Sequence, residues 1–260
     1  MGIPTHVIAT MLGAAPPDQL VEMLPPFLWL HHSSGHQANL CVSAALTLQQ
    51  AYDVIGVLAR PTAVQLVISH RDRGPLTRYG GGEHHWDGKD YSGHCVLYLP
   101  GSGRWIDTTV VQYPEVRASM PLPIVGRPGG VLAGGERARA ALAEGRLLVG
   151  TRMTVPREEL LLDYTVVAED DEMITTGAYA LAPDGETQLR NSGVNLASAA
   201  IEWWRKPGIV ERVLDAPYPQ LHALLDAVGQ APTHIDDHEN WFFEIAPGQH
   251  VRLDELLPAR

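Results

Sequence analysis

An α+β fold is expected for this chain, and three features support that expectation. LCVSAALTLQQAYDVIGVL (40–58) sets Val42, Ala45, Leu46, Leu48, Tyr52 and Ile55 at three- and four-residue intervals, the stripe of a helix buried on one side. VLYLP and RWID are short apolar, β-branched and aromatic runs joined by a Pro-Gly-Ser-Gly turn, the mark of an antiparallel hairpin. Further helical and strand-like runs follow as far as the C-terminus. A helix packed on an antiparallel sheet, with a mixed C-terminal elaboration, is the architecture they describe.

From the N-terminus, a short helix is expected after Pro16-Pro17, with Asp18 in its first turn and Leu20, Val21 and Leu24 on one face. Pro25-Pro26 is expected to end it, and His31 and His32 to lie on the surface beyond. GHQAN is a polar loop whose Asn39 reads as the N-cap of the next helix. Gly56 fits that helix's C-terminal stop, and Pro61 forbids continuation. Cys41 therefore falls in a first turn, where unpaired N–H groups and the helix dipole stabilise a thiolate. A buried cysteine packing as a small hydrophobe is the bland alternative.

A strand over Ala63–Ile68 comes next, and then the polar, glycine-rich stretch 71–93. Its length suggests a loop that borders a cleft and gates substrate, with Trp86 and Tyr91 as substrate contacts and Gly80-Gly81-Gly82 as the flexible part. His84, His85, Asp87 and Asp90 invite a metal reading but lack a paired ligand spacing, so no metal is expected there. His94 opens the first strand of the hairpin and Asp107 closes the second. An even loop puts both on one sheet face, opposite or diagonal, where the carboxylate can fix the tautomer of the ring.

A cysteine, a histidine and an acid in that order suggest a nucleophile, its base and the group that orients the base. On these elements the arrangement resembles the transglutaminase-like branch of the papain-like cysteine enzymes. Members have a small-residue helix after the Cys, then a Gly-His strand like GHCVLYLP and a Trp-containing strand like GRWIDTT. The resemblance covers residues 35–113. It implies a Cys41-His94-Asp107 triad and relatives such as transglutaminases, arylamine N-acetyltransferases, peptide-deglycosylating enzymes and leader peptidases. Cys95 stands where many relatives have an aromatic residue, and the stretch 69–93 is longer than a minimal core needs.

Beyond residue 116, a Pro/Gly-rich connection at 122–135 precedes a short helix at 136–148 and strands at 160–168 and 173–182. Helices are expected at 195–206 and 218–230, then a closing strand–turn element from WFFEI through VRLDELL. Trp203 and Trp204 read as core or interface anchors. His234, Asp236, Asp237 and His238 tempt a metal assignment through an i, i+4 histidine pair, but a solvated acidic turn fits the residues better. One domain is expected over 1–260, with a catalytic core at 35–115 and a C-terminal elaboration at 116–260.

Composition limits the partners. The net charge is −11 and lysine occurs only at Lys89 and Lys206, which disfavours nucleic acid and anionic membrane surfaces. Two cysteines provide no disulfide framework and fit a reducing cytoplasm. No signal peptide, membrane span, repeat or dinucleotide fingerprint is read. The expected activity is cysteine-dependent attack on an amide or acyl group, with no cofactor. Cys41 N–H, with Gln37 or Asn39, is the candidate oxyanion site. The thioester would pass to water in a peptidase or amidase, or to an amine in an acyltransferase. Scarce lysine speaks against a coenzyme A phosphate site. A non-catalytic binding protein on the same scaffold is the third possibility.

Overall fold

The computed structural model describes residues 4–33, 39–81, 84–88, 90–119, 122–127, 135–168, 172–180, 184–236 and 238–257. Helices α1 (Thr5–Ala14), α2 (Pro17–His32) and α3 (Cys41–Val54) are followed by strands β1 (Arg60–His70), β2 (Gly74–Tyr79), β3 (His85–Asp87), β4 (Asp90–Ser92), β5 (His94–Leu99) and β6 (Arg104–Asp107). A 3-10 turn at Val110–Gln112, α4 (Pro114–Ser119), β7 (Ile124–Gly126), α5 (Gly135–Ala143), β8 (Arg152–Arg157), β9 (Leu160–Val166) and α6 (Glu172–Ala180) continue the chain. It closes with α7 (Gly185–Trp204), α8 (Val210–Leu214), α9 (Pro219–Val228), β10 (Thr233–Ile235), β11 (Trp241–Ala246), β12 (Gln249–Val251) and a 3-10 turn at Leu253–Leu256.

The fold is α+β. Among the described residues the main sheet is antiparallel, in the order β7-β6-β5-β1-β9-β8, with β2 added to β1. Helix α3 packs against β5 and β1, and α7 packs along α3, with α2 beside both. A smaller sheet, β10-β11-β12, lies on α7 and α9. Among the described residues no helix is long and apolar enough to cross a membrane. The chain beyond residue 115 is not peripheral, because β9 lies beside β1 at the centre of the main sheet.

Helix α2 passes through Pro25-Pro26 instead of ending there. Pro26 has no N–H to offer the carbonyl four residues back, that of Glu22. The buried Tyr52 hydroxyl of α3 donates to that carbonyl in its place. The Glu22 carboxylate, fully buried, accepts from Tyr218 and pairs with Arg104 at the start of β6. Arg104 also reaches Asp18 at 3.3 Å. One acidic residue thus ties α2 to α3 and to the strand that ends at Asp107.

The segment 173–182, expected as a strand, forms α6 as far as Ala180, and residues 181–182 lie outside the described residues. The strand preference of Thr175 and Thr176 is outweighed by Ile174 and Ala178, buried four apart in the small cluster that contains Cys41, Val42 and Ala45. Helix α7 starts at Gly185, nearly three turns before the limit expected at 195. Its Gly193 sits so close to α3 that an added Cβ would come 2.4 Å from Gln50 Cβ and 2.9 Å from the Thr47 carbonyl. Gly193→Ala is expected to cost about 1–3 kcal/mol through overpacking. Denaturant unfolding checks this, and an unchanged midpoint would mean the helices separate easily.

Candidate active site

The sheet is split where the site lies. β5 pairs with one edge of β1 up to Val64–His94, and β2 pairs with the same edge from Leu66–Tyr79 onward. The chain between them leaves the sheet at Gly80 and returns at Gly93. Gly80 has φ +64°, and a Cβ there would lie 2.8 Å from the Val64 carbonyl and 2.9 Å from the His94 nitrogen. A glycine is therefore required for the chain to turn out of the sheet so close to β1. A cleft of about 320 Å³ opens at this split, lined by Asn39, Cys41, Tyr79, Gly80, Tyr91, Gly93, Gln112, Tyr113 and Pro114.

Cys41 is the first residue of α3, as expected, and it reaches the cleft although it is nearly buried. Asn39 does not cap the helix. It takes the left-handed conformation at φ 65°, and the N-cap position falls to Leu40 without a side-chain bond. The Asn39 N–H donates to Gln112 Oε1 at 3.2 Å, so Asn39 belongs to the cleft wall. The first helical bond runs from Ala44 N–H to Leu40 carbonyl, which leaves the amides of Cys41 to Ser43 without helical partners. Gln37 lies outside the described residues.

The β5–β6 register pairs Leu97 with Ile106 and Tyr98 with Trp105 across a four-residue turn, so His94 and Asp107 share one face on a diagonal. His94 Nε2 lies 2.7 Å from Asp107 Oδ2, with both residues out of solvent. A carboxylate can only accept, so Nε2 carries a proton and Nδ1 is the nitrogen left to gain or lose the second. Nδ1 lies 3.1 Å from the Tyr113 hydroxyl. Burial opposes the imidazolium, yet the Asp107 charge and hydrogen bond, together with Cys41, raise the pKa of His94 to about 10.

Asp107 is held as an anion. Oδ2 also accepts from Tyr164 at 2.9 Å, and Oδ1 accepts from the N–H groups of Thr109 and Val110 at 2.9 Å and from Thr109 Oγ1 at 3.1 Å. Burial pushes its carboxyl up, but the His94 charge and these donors leave it below the ordinary value. Burial and the Asp107 charge push Tyr113 and Tyr164 up, so both stay neutral hydroxyls.

The segment 71–93 is largely built structure. β2 joins the main sheet, and β3 and β4 pair as a hairpin. Tyr91, a candidate substrate contact, lines the cleft. Its hydroxyl donates to His84 Nδ1 at 2.8 Å, while His84 Nε2 meets the Gly80 carbonyl at 3.0 Å. With both nitrogens used, His84 clamps the hairpin to the strand exit. Trp86 is not a cleft residue: it packs over Gly177 of α6, where a Cβ would fall 1.9 Å from the indole nitrogen. Gly177→Val is therefore expected to loosen the hairpin. Faster proteolysis within 84–92 would report it, and an unchanged digestion pattern would contradict the anchoring role.

Cys95 points to the opposite strand face from His94 and packs among Ala45, Ala63 and Ile174. Trp204 is fully buried, as an anchor should be, and Trp203 meets the Lys206 ammonium 3.3 Å from its ring centre. His32 borders a separate cleft of about 540 Å³ with Trp29, Asn195 and Trp241. Asp236 accepts from the N–H groups of His238 and Asn240, which makes the expected polar turn, while Asp237 lies outside the described residues. Sequence reasoning missed Tyr113, Gln112 and Tyr164. The first two follow Asp107 closely in TTVVQYPEV, but nothing in their spacing marks them. Tyr164 comes from a strand 57 residues downstream, and only sheet pairing brings it to Asp107.

Comparison with protein-family models, with curated proteins and with solved structures finds no match to this chain.

Proposed function

We propose that this protein is a cysteine-dependent enzyme of transglutaminase-like organisation that cleaves an amide or acyl bond through a thioester on Cys41. The observation behind this reading is the buried His94 ring, with Nε2 bound to an anchored carboxylate and Cys41 among the groups that raise its pKa, beside a cleft that Cys41 lines. Proton transfer from Cys41 to His94 Nδ1 gives a thiolate–imidazolium pair, the state the raised pKa of His94 favours, and the thiolate sulfur attacks the carbonyl carbon. The tetrahedral oxyanion is received by the N–H of Cys41, which has no helical partner, and by Asn39. The C–N or C–O bond then breaks as the Nδ1 proton passes to the leaving group. Water, deprotonated by His94, next attacks the thioester, releasing the acid and restoring the thiol.

Among the described residues, the cleft lining contains tyrosine, glycine, Asn39, Gln112 and Pro114 but no lysine or arginine. That lining suits a peptide or small amide better than the phosphates of an acyl-coenzyme A donor. Hydrolysis is therefore favoured over acyl transfer to an amine.

The test uses intact mass spectrometry on wild type and Cys41→Ala with a panel of activated acyl esters and peptide amides. A hydroxylamine-labile acyl adduct on the wild type alone is expected, turning over faster in water than an added primary amine can capture it. No adduct with any donor, or equal acylation of Cys41→Ala, would overturn the reading.

A further inference from the structure

We infer that His234, Glu244 and His250 form a binding site for a zinc-class divalent ion on the C-terminal sheet. The residues come from β10, β11 and β12 respectively, three neighbouring strands. His250 stands directly opposite Glu244, and His234, opposite Phe242, stands diagonal to Glu244, so all three project from the same face. One ligating atom from each lies within 4.8 Å of the others.

His234 Nε2 is 3.3 Å from Glu244 Oε2, and the two imidazole rings lie side by side with centres 4.6 Å apart. The turn after β11 fixes the carboxylate: Gly248 N–H donates to Glu244 Oε1 at 2.8 Å and leaves Oε2 facing the histidines. A single carboxylate under two adjacent imidazoles is a donor set that a cation would complete. Small rotations of the two exposed imidazoles about the half-buried carboxylate bring the three atoms to the ~2.0–2.2 Å bonds of a tetrahedral centre.

The chemistry of the donors selects the ion. Two imidazoles and one carboxylate suit Zn²⁺, Co²⁺ or Ni²⁺, whereas Mg²⁺ and Ca²⁺ want oxygen donors throughout. The fourth position faces solvent and would hold water or an external ligand. The i, i+4 pairing of His234 with His238 does not form, because His234 lies in a strand and His238 in the turn after it. The ligands instead converge through strand pairing, and none of them lines the Cys41 cleft.

The test titrates the tag-free, chelator-treated full chain with Zn²⁺ by calorimetry and with Co²⁺ by visible absorption. One ion per chain is expected, with a tetrahedral Co²⁺ band and no competition from Mg²⁺. Glu244→Gln and His250→Ala should each weaken binding by about tenfold or more, while His85→Ala leaves it unchanged. Zinc-edge X-ray absorption on the wild type, which needs no variant, should show two imidazole ligands. No saturable binding, unchanged binding in both site variants, or an oxygen-only shell would overturn the assignment.

Discussion

Asp107→Asn is expected to fold and to lose roughly 10²- to 10⁴-fold in turnover, the range general acid–base assistance typically supplies. The Asn carbonyl can still accept from Thr109 and Val110, which hold Oδ1 in the wild type. The other position becomes an NH₂ facing two donors, His94 Nε2–H and the Tyr164 hydroxyl. The ring must then shift its proton to Nδ1, and it can no longer accept from Cys41. Losing the carboxylate also removes the main influence that raises the pKa of His94, so burial then favours the neutral ring.

The pH dependence of stability follows from the same pair. His94 is raised in the fold, so its contribution is complete below its unfolded value near 6.5 and lost as pH rises through about 10. Asp107 is lowered, so its contribution is present above its unfolded value near 3.8 and lost as pH falls through its depressed folded value. The stability gap between wild type and Asp107→Asn should thus be widest between about pH 4 and 6.5 and close towards pH 10. Matched melting curves across that range, with turnover assays, check both parts. Wild-type turnover in a folded Asp107→Asn chain would make the acid structural only.

Glu22→Ala should have the largest effect on stability, about 3–5 kcal/mol, because it leaves the guanidinium of Arg104 buried with only the partly exposed Asp18 at 3.3 Å. It also leaves the Tyr218 hydroxyl without its acceptor. Glu22→Gln keeps the shape and an acceptor oxygen, so it should lose less than the alanine variant. Urea unfolding of the three proteins decides this. Equal midpoints for wild type and Glu22→Ala would show that the network contributes little, as happens when solvent relaxes around a freed charge.

The helix that begins at Cys41 and the hairpin of His94 and Asp107 were legible because each follows local rules. The apolar stripe from Val42 to Ile55 specifies a helix, and the four residues between Leu99 and Arg104 set the register that pairs His94 with Asp107. Features decided by distant partners were not legible. Pro25-Pro26 reads as a stop because the hydroxyl that replaces the lost donor belongs to Tyr52, on another helix. Residues 173–182 read as a strand because the packing of Ile174 and Ala178 on the cysteine helix is tertiary. Stretch 71–93 reads as one loop because β2 is polar, at the sheet edge and only partly buried. His234 and His250 carry no spacing signal, since strand pairing alone brings them together.

Brief alkylation with iodoacetamide, followed by peptide mapping, tests the central claim most directly. Cys41 lines the cleft and is among the groups that raise the pKa of His94, whereas Cys95 is buried among Ala45, Ala63 and Ile174 and does not line it. Labelling of the folded wild type should therefore fall almost wholly on Cys41 and drop sharply in His94→Ala, with Cys95 reacting only after unfolding. Preferential labelling of Cys95, or labelling of Cys41 at the same rate with and without His94, would contradict a thiol activated by this histidine.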